Sequence, residues 1–410
     1  MIKKLISERC YCALDVGAQT LKASAIKILD NHTPELIGVY ETKTVGFKDA
    51  SVTDLKELSE CINTTLSGLL SRAGLKLREI QLGIGGELID KRLSNAVIPL
   101  TDRGNKVISL QDVKKIQTQA RMLGVKMEEI ILHDFPQYYK VDDVNTASNP
   151  VGLYGRKLEI GTLLVVVNNT VLKNLHKAVN EAGYDVANMF FSSYASAEAC
   201  LNEFYRKQGC ILVDIGAAVS DILFFKEGQL RSLEVIPWGA DQITRVIANQ
   251  LNLSFMVAED IKISYGAASN DPQSDEEILI KREESYIPVR KQVINQAMDP
   301  EITKFIDLVN DFIKKAGVGD QLNVGVILVG GGALLGGIPE RLEQGINLPV
   351  KMGKVNIAVK KLHQAAKFAS VVGLAQMGGQ KSFARQASAE GQNWLAHTMY
   401  KVKELYQEYF

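Results

Sequence analysis

The fold is decided by Asp15-Val16-Gly17-Ala18-Gln19-Thr20-Leu21-Lys22, a stretch that is echoed later in the chain by Asp214-Ile215-Gly216-Ala217-Ala218-Val219. Each stretch stands between two apolar segments, which predicts a β-hairpin with a glycine in its tip. Two related hairpins in one chain indicate a duplicated pair of domains. We therefore expect two similar halves with a cleft between them and one hairpin on each side of the cleft.

The residue types in the hairpin tips suit a nucleoside triphosphate. Proteins hold ATP with backbone N–H groups at tight turns, with a lysine, and with carboxylates that orient the waters around Mg²⁺. Gly17 permits close backbone approach, Thr20 offers a hydroxyl and Lys22 can reach a β- or γ-phosphate. Asp15 and Asp214 are predicted to face the metal and to hold it through water. A single hairpin of this kind is more often an ordinary turn.

A third motif is the run Gly330-Gly331-Gly332-Ala333, which follows the apolar strand Val324–Val329. A turn of small residues suits packing against the flat adenosine, because the backbone can approach closely. The alternative is a crowded strand-to-helix turn without a ligand. The ordered set of two hairpins and a triple glycine is more specific than any one of its parts.

This ordered set resembles the superfamily of actin, the heat-shock chaperones and the sugar kinases. The resemblance implies an α/β fold of the actin-like ATPase type, with two RNase-H-like domains and ATP with Mg²⁺ in the cleft. Glu259 and Lys262 are similar to the Glu-x-x-Lys pair that the superfamily places beside the adenosine; alone they would be an i,i+3 ion pair on a helix. The predicted cofactor-binding residues are Asp15, Gly17, Ala18, Gln19, Thr20, Lys22, Asp214, Gly216, Ala217, Ala218, Val219, Glu259, Lys262, Gly330, Gly331, Gly332 and Ala333.

The second hairpin departs from the superfamily pattern, which is normally Asp-x-Gly-Gly-Gly-Thr. Ala217, Ala218 and Val219 stand where that pattern has Gly, Gly and Thr. The added methyl groups hinder close backbone approach, and the threonine hydroxyl is gone. We expect ATP binding through the other elements and weak or absent hydrolysis; the sequence assigns no catalytic residue.

Two segments between the hairpins narrow the resemblance to the FtsA family of bacterial cell division proteins. They are His133-Asp134-Phe135-Pro136-Gln137-Tyr138-Tyr139 and Asn149-Pro150-Val151-Gly152-Leu153-Tyr154-Gly155. Both are similar to FtsA segments, and they lie in a region that reads as an inserted small α+β domain. The resemblance covers nearly the whole chain and implies an actin-like fold with an SHS2-like insert and a C-terminal amphipathic helix.

The predicted domain organisation has eight segments. These are the first half of RNase-H-like domain 1 (1–80), the inserted α+β domain (81–165), the rest of domain 1 (166–208), the start of RNase-H-like domain 2 (209–253), a partner-binding lobe (254–316), the rest of domain 2 (317–378), a flexible linker (379–393) and an amphipathic membrane-targeting helix (394–410).

The lobe resembles the part of FtsA that receives the C-terminal tail of the tubulin-like protein FtsZ. Arg290, Lys291 and Asn295 are the predicted contacts, with a solvated helix face as the alternative. At about 100° per residue, the apolar side chains of the terminal helix fall on one arc. This arc comprises Trp394, Leu395, Met399, Val402, Leu405, Tyr406, Tyr409 and Phe410. The pattern predicts a helix lying in the membrane plane; docking on the protein's own body or on a partner helix is the alternative.

Charge and composition limit the remaining function classes. Lys and Arg total 47, as do Asp and Glu, so no global basic field favours nucleic acid. No apolar run reaches the ~18 residues of a membrane span, so a membrane would be met peripherally. Five scattered cysteines fit a reducing cytosol.

The leading hypothesis is an ATP-binding cell division protein of the bacterial cytoplasm. It would form actin-like protofilaments, anchor the FtsZ ring on the cytoplasmic face of the inner membrane at the division site, and recruit other divisome proteins. The first alternative is a PilM-like scaffold of the type IV pilus, a family that shares the fold and the insert but lacks the terminal helix. The second is a metabolic kinase, for which no segment supplies an evident carboxylate base.

Overall fold

The chain forms two halves, each built on one main sheet, and an insert that interrupts the first half. The structure is a computed structural model of the 410-residue chain, and it describes residues 10–29, 33–101, 104–268, 276–282, 285–358 and 362–382. The elements before the insert are β1 (Cys10–Val16), β2 (Thr20–Ile28), β3 (Pro34–Lys43), β4 (Phe47–Lys48), β5 (Ser51–Val52), α1 (Leu55–Ala73) and β6 (Glu79–Ile84). The insert contains β7 (Ile89–Pro99), β8 (Lys106–Val107), α2 (Leu110–Gly124), β9 (Glu129–Val141), β10 (Asn145–Ala147), β11 (Tyr154–Gly155) and β12 (Lys157–Asn168).

The chain then completes the first half and builds the second. The connecting elements are α3 (Asn169–Glu181), β13 (Asp185–Phe191), α4 (Ser192–Cys200) and α5 (Glu203–Gln208). The second half contains β14 (Cys210–Ile215), β15 (Ser220–Lys226), β16 (Gln229–Ile236), α6 (Ala240–Leu251), α7 (Phe255–Tyr265), β17 (Glu277–Arg282), β18 (Ser285–Arg290), α8 (Lys291–Ala316), β19 (Gly325–Val329), α9 (Ile338–Ile346), β20 (Val350–Met352) and the helix α10, residues 369–382.

The two main sheets have the same topology. Their strand orders are β3-β2-β1-β6-β13 and β16-β15-β14-β19-β20. In each sheet, the first three strands of this order are antiparallel to their neighbours. The last two run parallel to the central strand, which is β1 in one sheet and β14 in the other. Strands β14 and β19 are buried on nearly every residue, as expected for central strands covered on both faces. The duplication predicted from the two hairpins is therefore present.

The insert is a four-stranded antiparallel sheet with the order β10-β9-β12-β7, and α2 packs on it. Helix α2 begins with a capping box in which Ser109 and Asp112 satisfy each other's backbone N–H groups. The boundary predicted at residue 81 is too early, because β6 pairs in parallel with β1 in the first sheet. A short, fully apolar strand does not reveal which sheet it joins.

The insert also contacts the second half of the protein. Lys91 Nζ donates a hydrogen bond of 2.6 Å to the carbonyl oxygen of Leu233, and Gln137 Nε2 donates one of 3.0 Å to that of Leu230. Arg231 returns a bond of 2.6 Å to the Gln137 carbonyl. The insert thus bridges the two halves along strand β16.

The predicted partner-binding lobe consists of α7, the β17–β18 hairpin and α8. Trp238 anchors α8 to the second sheet, because its ring stacks on Phe305 at 4.4 Å and its Nε1 donates to Glu301 at 3.1 Å. The hairpin pairs Glu277 with Arg290 at its base. Residues 269–275 lie outside the described part of the chain.

Helix α10 ends the described chain and enters the predicted linker. The linker was predicted to begin at residue 379, but the helix continues to residue 382. A Cβ at Gly378 would lie 2.4 Å from the Gln81 side chain, and one at Gly379 3.3 Å from that of Tyr11. These glycines therefore serve close packing, where the sequence suggested flexibility. The rest of the linker and the predicted amphipathic helix, 394–410, lie outside the described residues. None of the helices within the described ranges has the length and apolar character that a bilayer span requires.

Candidate functional site

The two hairpin tips close with the same backbone hydrogen bond. The N–H of Gly17 donates to the carbonyl oxygen of Thr20 at 3.2 Å, and that of Gly216 donates to Val219 at 3.0 Å. A Cβ at either glycine would lie 2.7 Å from the accepting oxygen. Glycine is therefore required at both positions by the turn itself, and the tips are structural equivalents.

The hairpin carboxylates are held by serine hydroxyls. Asp15 accepts hydrogen bonds from Ser192 at 2.7 Å and from Ser370 at 2.6 Å. Asp214 accepts one from Ser196 at 2.7 Å. Burial raises the pKa of Asp214 above its ordinary value, although the serine bond acts in the opposite direction. The structure thus brings together the two residues that were predicted to face a metal.

A row of charged side chains crosses the first sheet. Asp15, Lys22 and Glu41 are cross-strand neighbours on β1, β2 and β3. Lys22 also acts on Asp214, since its positive charge helps to lower the pKa of that carboxyl. Lys367, just before α10, donates to Glu41 at 2.6 Å and adds a second cation to the row. Sequence reasoning missed Lys367, because a lysine among small residues carries no motif.

The cleft is bridged at the first hairpin's tip. Gln19 Nε2 donates a hydrogen bond to the carboxylate of Asp241 in the first turn of α6. The Asp241 N–H donates to the carbonyl oxygen of Ala217 at 2.9 Å. Burial raises the pKa of Asp241 to about 6. Asp241 is a second site residue that the sequence analysis missed; its only signal was an acidic residue next to a glycine at a helix start.

The triple glycine is crowded at two of its three positions. A Cβ at Gly330 would lie 2.4 Å from the Ile215 carbonyl oxygen, and one at Gly332 2.3 Å from the Ile215 side chain. These two glycines are required by packing. Gly331 has no atom within 4 Å of the position of a Cβ, so its backbone faces open space that a ligand can approach. Ala333 is buried behind the turn.

Lys262 and Glu259, predicted to lie beside the adenosine, form the i,i+3 ion pair of the alternative interpretation, at 2.7 Å. Lys262 Nζ also donates to Thr244 Oγ1 at 2.8 Å and to the Ala240 carbonyl at 3.1 Å. All three ammonium protons are therefore used within the protein, and the pair fastens α7 to the start of α6. The side chain of Glu259 is 20% exposed, so it is the member of the pair that a ligand can still reach.

The predicted partner residues separate into two groups. Arg290 is exposed, and Lys291 forms an ion pair of 2.6 Å with Glu276 at the start of α8. Asn295 is buried, and its Oδ1 accepts a hydrogen bond of 3.0 Å from the backbone of Ala267. The expectation of a partner contact at Asn295 is therefore corrected, because this position faces the core side of the helix.

The lobe also exposes apolar side chains that the sequence analysis did not single out. Helix α7 and the β17–β18 hairpin carry four that are at least 63% exposed: Met256, Ile263, Leu279 and Tyr286. Solvated apolar side chains on one lobe are typical of protein contact surfaces. Within the described ranges, no group of three or more His, Cys, Asp or Glu side chains is placed to hold a metal directly.

Comparison with known proteins places this geometry in a family. The model of cell division protein FtsA matches residues 211–373, and the model of the SHS2 domain inserted in FtsA matches residues 86–166. FtsA of Buchnera aphidicola is 29% identical over 391 residues, which cover 92% of each chain. FtsA of Escherichia coli K12 is 26% identical over 399 residues, which cover 94% of each chain.

Solved structures resemble the chain in fold. The PilM–PilN type IV pilus biogenesis complex matches with a TM-score of 0.64 at 16% identity, covering 90% of this chain and 98% of the other. MreB5 of Spiroplasma citri bound to ADP matches with a TM-score of 0.53 at 14% identity, covering 94% and 99%. The predicted actin-like fold with an SHS2 insert is confirmed, and the two FtsA models together match more than half of the sequence. The chain belongs to the FtsA family of cell division proteins.

Proposed function

We propose that this protein binds ATP in the cleft between its two halves, assembles into actin-like protofilaments and anchors the FtsZ ring to the cytoplasmic face of the inner membrane, where it recruits other divisome proteins. The observation that carries the proposal is the pair of equivalent hairpins, whose carboxylates, Asp15 and Asp214, are both held by serines at the cleft. Membership of the FtsA family supports the cell division role.

The cleft residues fit a triphosphate. The hairpin turns at Gly17 and Gly216 would present backbone N–H groups, Lys22 would supply positive charge, and the open backbone at Gly331 would receive the adenosine. Bound Mg²⁺ would neutralise the phosphates, with Asp15 and Asp214 orienting its waters. Hydrolysis is proposed to be weak or absent.

The apolar Val219 supports weak hydrolysis. It stands at the position equivalent to Thr20, is buried, and would lie 3.4 Å from a Cβ at Gly86 across the cleft. A valine in this position offers no hydroxyl to a phosphate or to a metal-bound water. The second hairpin would therefore hold a phosphate only through its backbone.

The lobe is proposed to bind the C-terminal tail of FtsZ. Arg290 and Lys291 lie at the junction of β18 and α8, beside the hairpin that exposes Leu279 and Tyr286. The two cations pair with Glu277 and Glu276 in this structure, and a short peptide that combines acidic and apolar residues would replace those carboxylates and cover the apolar side chains. The membrane contact is proposed for residues 394–410 on the strength of their amphipathic sequence.

A peptide titration tests the partner assignment. A fluorescent peptide of the FtsZ tail is expected to bind the wild-type protein, and the double variant R290E/K291E is expected to weaken binding by about ten-fold or more. The matched control is K314E/K315E, which reverses two exposed charges at the other end of α8. Selective binding of a pilus membrane-protein peptide over the FtsZ tail would overturn the proposal in favour of a PilM-like scaffold.

A further inference from the structure

Helix α4 holds the hairpins of both halves through three buried serines. Ser192 donates to Asp15 of the first hairpin, and Ser196 donates to Asp214 of the second, both at 2.7 Å. Ser193 donates to Asp221, the cross-strand neighbour of Asp214. One short helix thus makes a direct polar contact with each side of the cleft.

The insert supplies the acceptor at the start of this helix. Helix α4 has no side-chain cap of its own. The N–H of Phe191, the residue before the helix, donates instead to His133 Nε2 of the insert at 2.9 Å. Backbone N–H groups at a helix start need such acceptors, because no earlier turn can satisfy them. His133 therefore satisfies the backbone N–H at the point where β13 ends and α4 begins.

Aromatic packing joins the insert to the same helix. The Tyr194 ring lies 5.0 Å from the ring of His133 and 4.9 Å from that of Phe135, between centroids. The same ring lies 6.3 Å from Phe225 of the second sheet. These distances are those of rings in packing contact.

The contacts of α4 fall on different faces. At about 100° per residue, Ser192 and Ser196 share one face, and Tyr194 points away from both. The serine face meets the cleft and the tyrosine face meets the insert. At Gly373, α10 crosses α4 so closely that a Cβ would lie 1.8 Å from the Ala195 carbonyl oxygen. The helix is therefore confined by close packing between the cleft and the insert.

We infer that α4 couples the cleft to the insert: Ser192, Ser193 and Ser196 are positioning residues for the hairpin carboxylates, and His133 holds the helix that carries them. The affinity effect rests on the proposed binding of nucleotide in the cleft, whereas the mechanical coupling does not require nucleotide. Because coupling between two sites is reciprocal, a partner that binds the insert would change nucleotide affinity, and nucleotide would change the insert.

Hydrogen–deuterium exchange of the full-length, nucleotide-free protein tests the mechanical coupling. S193A is expected to accelerate exchange in β9 around His133, although Ser193 lies outside the insert. H133F is expected to accelerate exchange at 191–196 and in the second hairpin. The matched control is Y139F, which removes a hydroxyl that accepts a hydrogen bond from Gln117 within the insert. Its effect is expected to stay inside the insert.

An ATP titration of the same variants tests the functional consequence. H133F is expected to weaken ATP binding by about five-fold or more, Y139F to leave it unchanged, and H133Q to restore part of it because glutamine retains an acceptor. If the exchange effect of S193A stays outside the insert and that of H133F stays inside it, the inference is overturned. If the exchange effects cross between domains but wild type binds no ATP, the coupling stands and the proposed function fails.

Discussion

At the scale of single residues, Asp221 has unfavourable surroundings for a charged carboxylate. Its side chain is buried, Ser193 donates to Oδ2, and within the described residues no group donates to Oδ1. Burial raises its pKa to about 8. The carboxyl is therefore mostly protonated at neutral pH, and it lies in the second hairpin, directly across from Asp214.

This raised pKa predicts a dependence of stability on pH. A group whose pKa is higher in the folded state stabilises the fold at low pH, and this contribution is lost as pH rises from the unfolded value near ~4 through about 8. D221N stays neutral throughout. We expect its free energy of unfolding in urea to decline less than that of wild type between about pH 5 and 8, by on the order of 3 kcal/mol. The exposed D320N is the control, and parallel curves for wild type and D221N would contradict the assignment.

The negative charge of Asp241 is expected to lower the affinity for nucleotide. Its carboxylate accepts a hydrogen bond from Gln19 in the first hairpin's tip, so it places negative charge where phosphates are proposed to bind. D241N keeps an acceptor for Gln19 and removes the charge. We expect ATP to bind roughly three- to ten-fold more tightly at neutral pH, as measured by fluorescence titration, with D320N unchanged. Unaltered affinity would mean that the phosphates lie away from Asp241.

At the scale of elements, the hairpins were predictable because their signals are local. An apolar strand, a glycine turn and a second apolar strand are adjacent in the sequence, and the turn bonds at Gly17 and Gly216 follow from that spacing. Helix faces are different. The burial of Lys262 and Asn295 depends on which elements pack beside α7 and α8, and these neighbours are distant in the sequence.

The second hairpin lacks the hydroxyl of Thr20, and we expect that restoring it will raise the affinity for nucleotide. V219T makes position 219 chemically equivalent to Thr20, with nearly the same shape as valine. We expect about three-fold tighter binding of Mg²⁺-ATP, together with a loss of about 1 kcal/mol in stability because a hydroxyl is buried against Gly86. The mirrored variant T20V should weaken binding. If V219T and T20V change affinity in the same direction, the proposed equivalence of the two tips in phosphate binding is wrong.

At the scale of the whole molecule, the duplication was predictable and the contacts between domains were not. Matching hairpins imply matching halves, and both sheets have the same strand order. The bonds from Lys91 and Gln137 to β16, and from the Phe191 N–H to His133, join segments that are far apart in sequence. Nothing in a single sequence indicates such pairs, because each polar residue is equally compatible with a solvated surface.

The sequence of residues 394–410 predicts that the protein binds a membrane through this segment. We expect the full-length protein to co-sediment with liposomes and a chain truncated after Gly391 to remain in the supernatant. The predicted terminal helix carries two lysines, Lys401 and Lys403, against two glutamates, Glu404 and Glu408, so we expect its binding to rest on apolar burial. Added salt should therefore weaken sedimentation little, whereas ATP should strengthen it if filaments form, because many weak anchors then act together. Sedimentation of neither form would show that this helix packs on protein, and the pilus-scaffold alternative would then need the same weight as the division role.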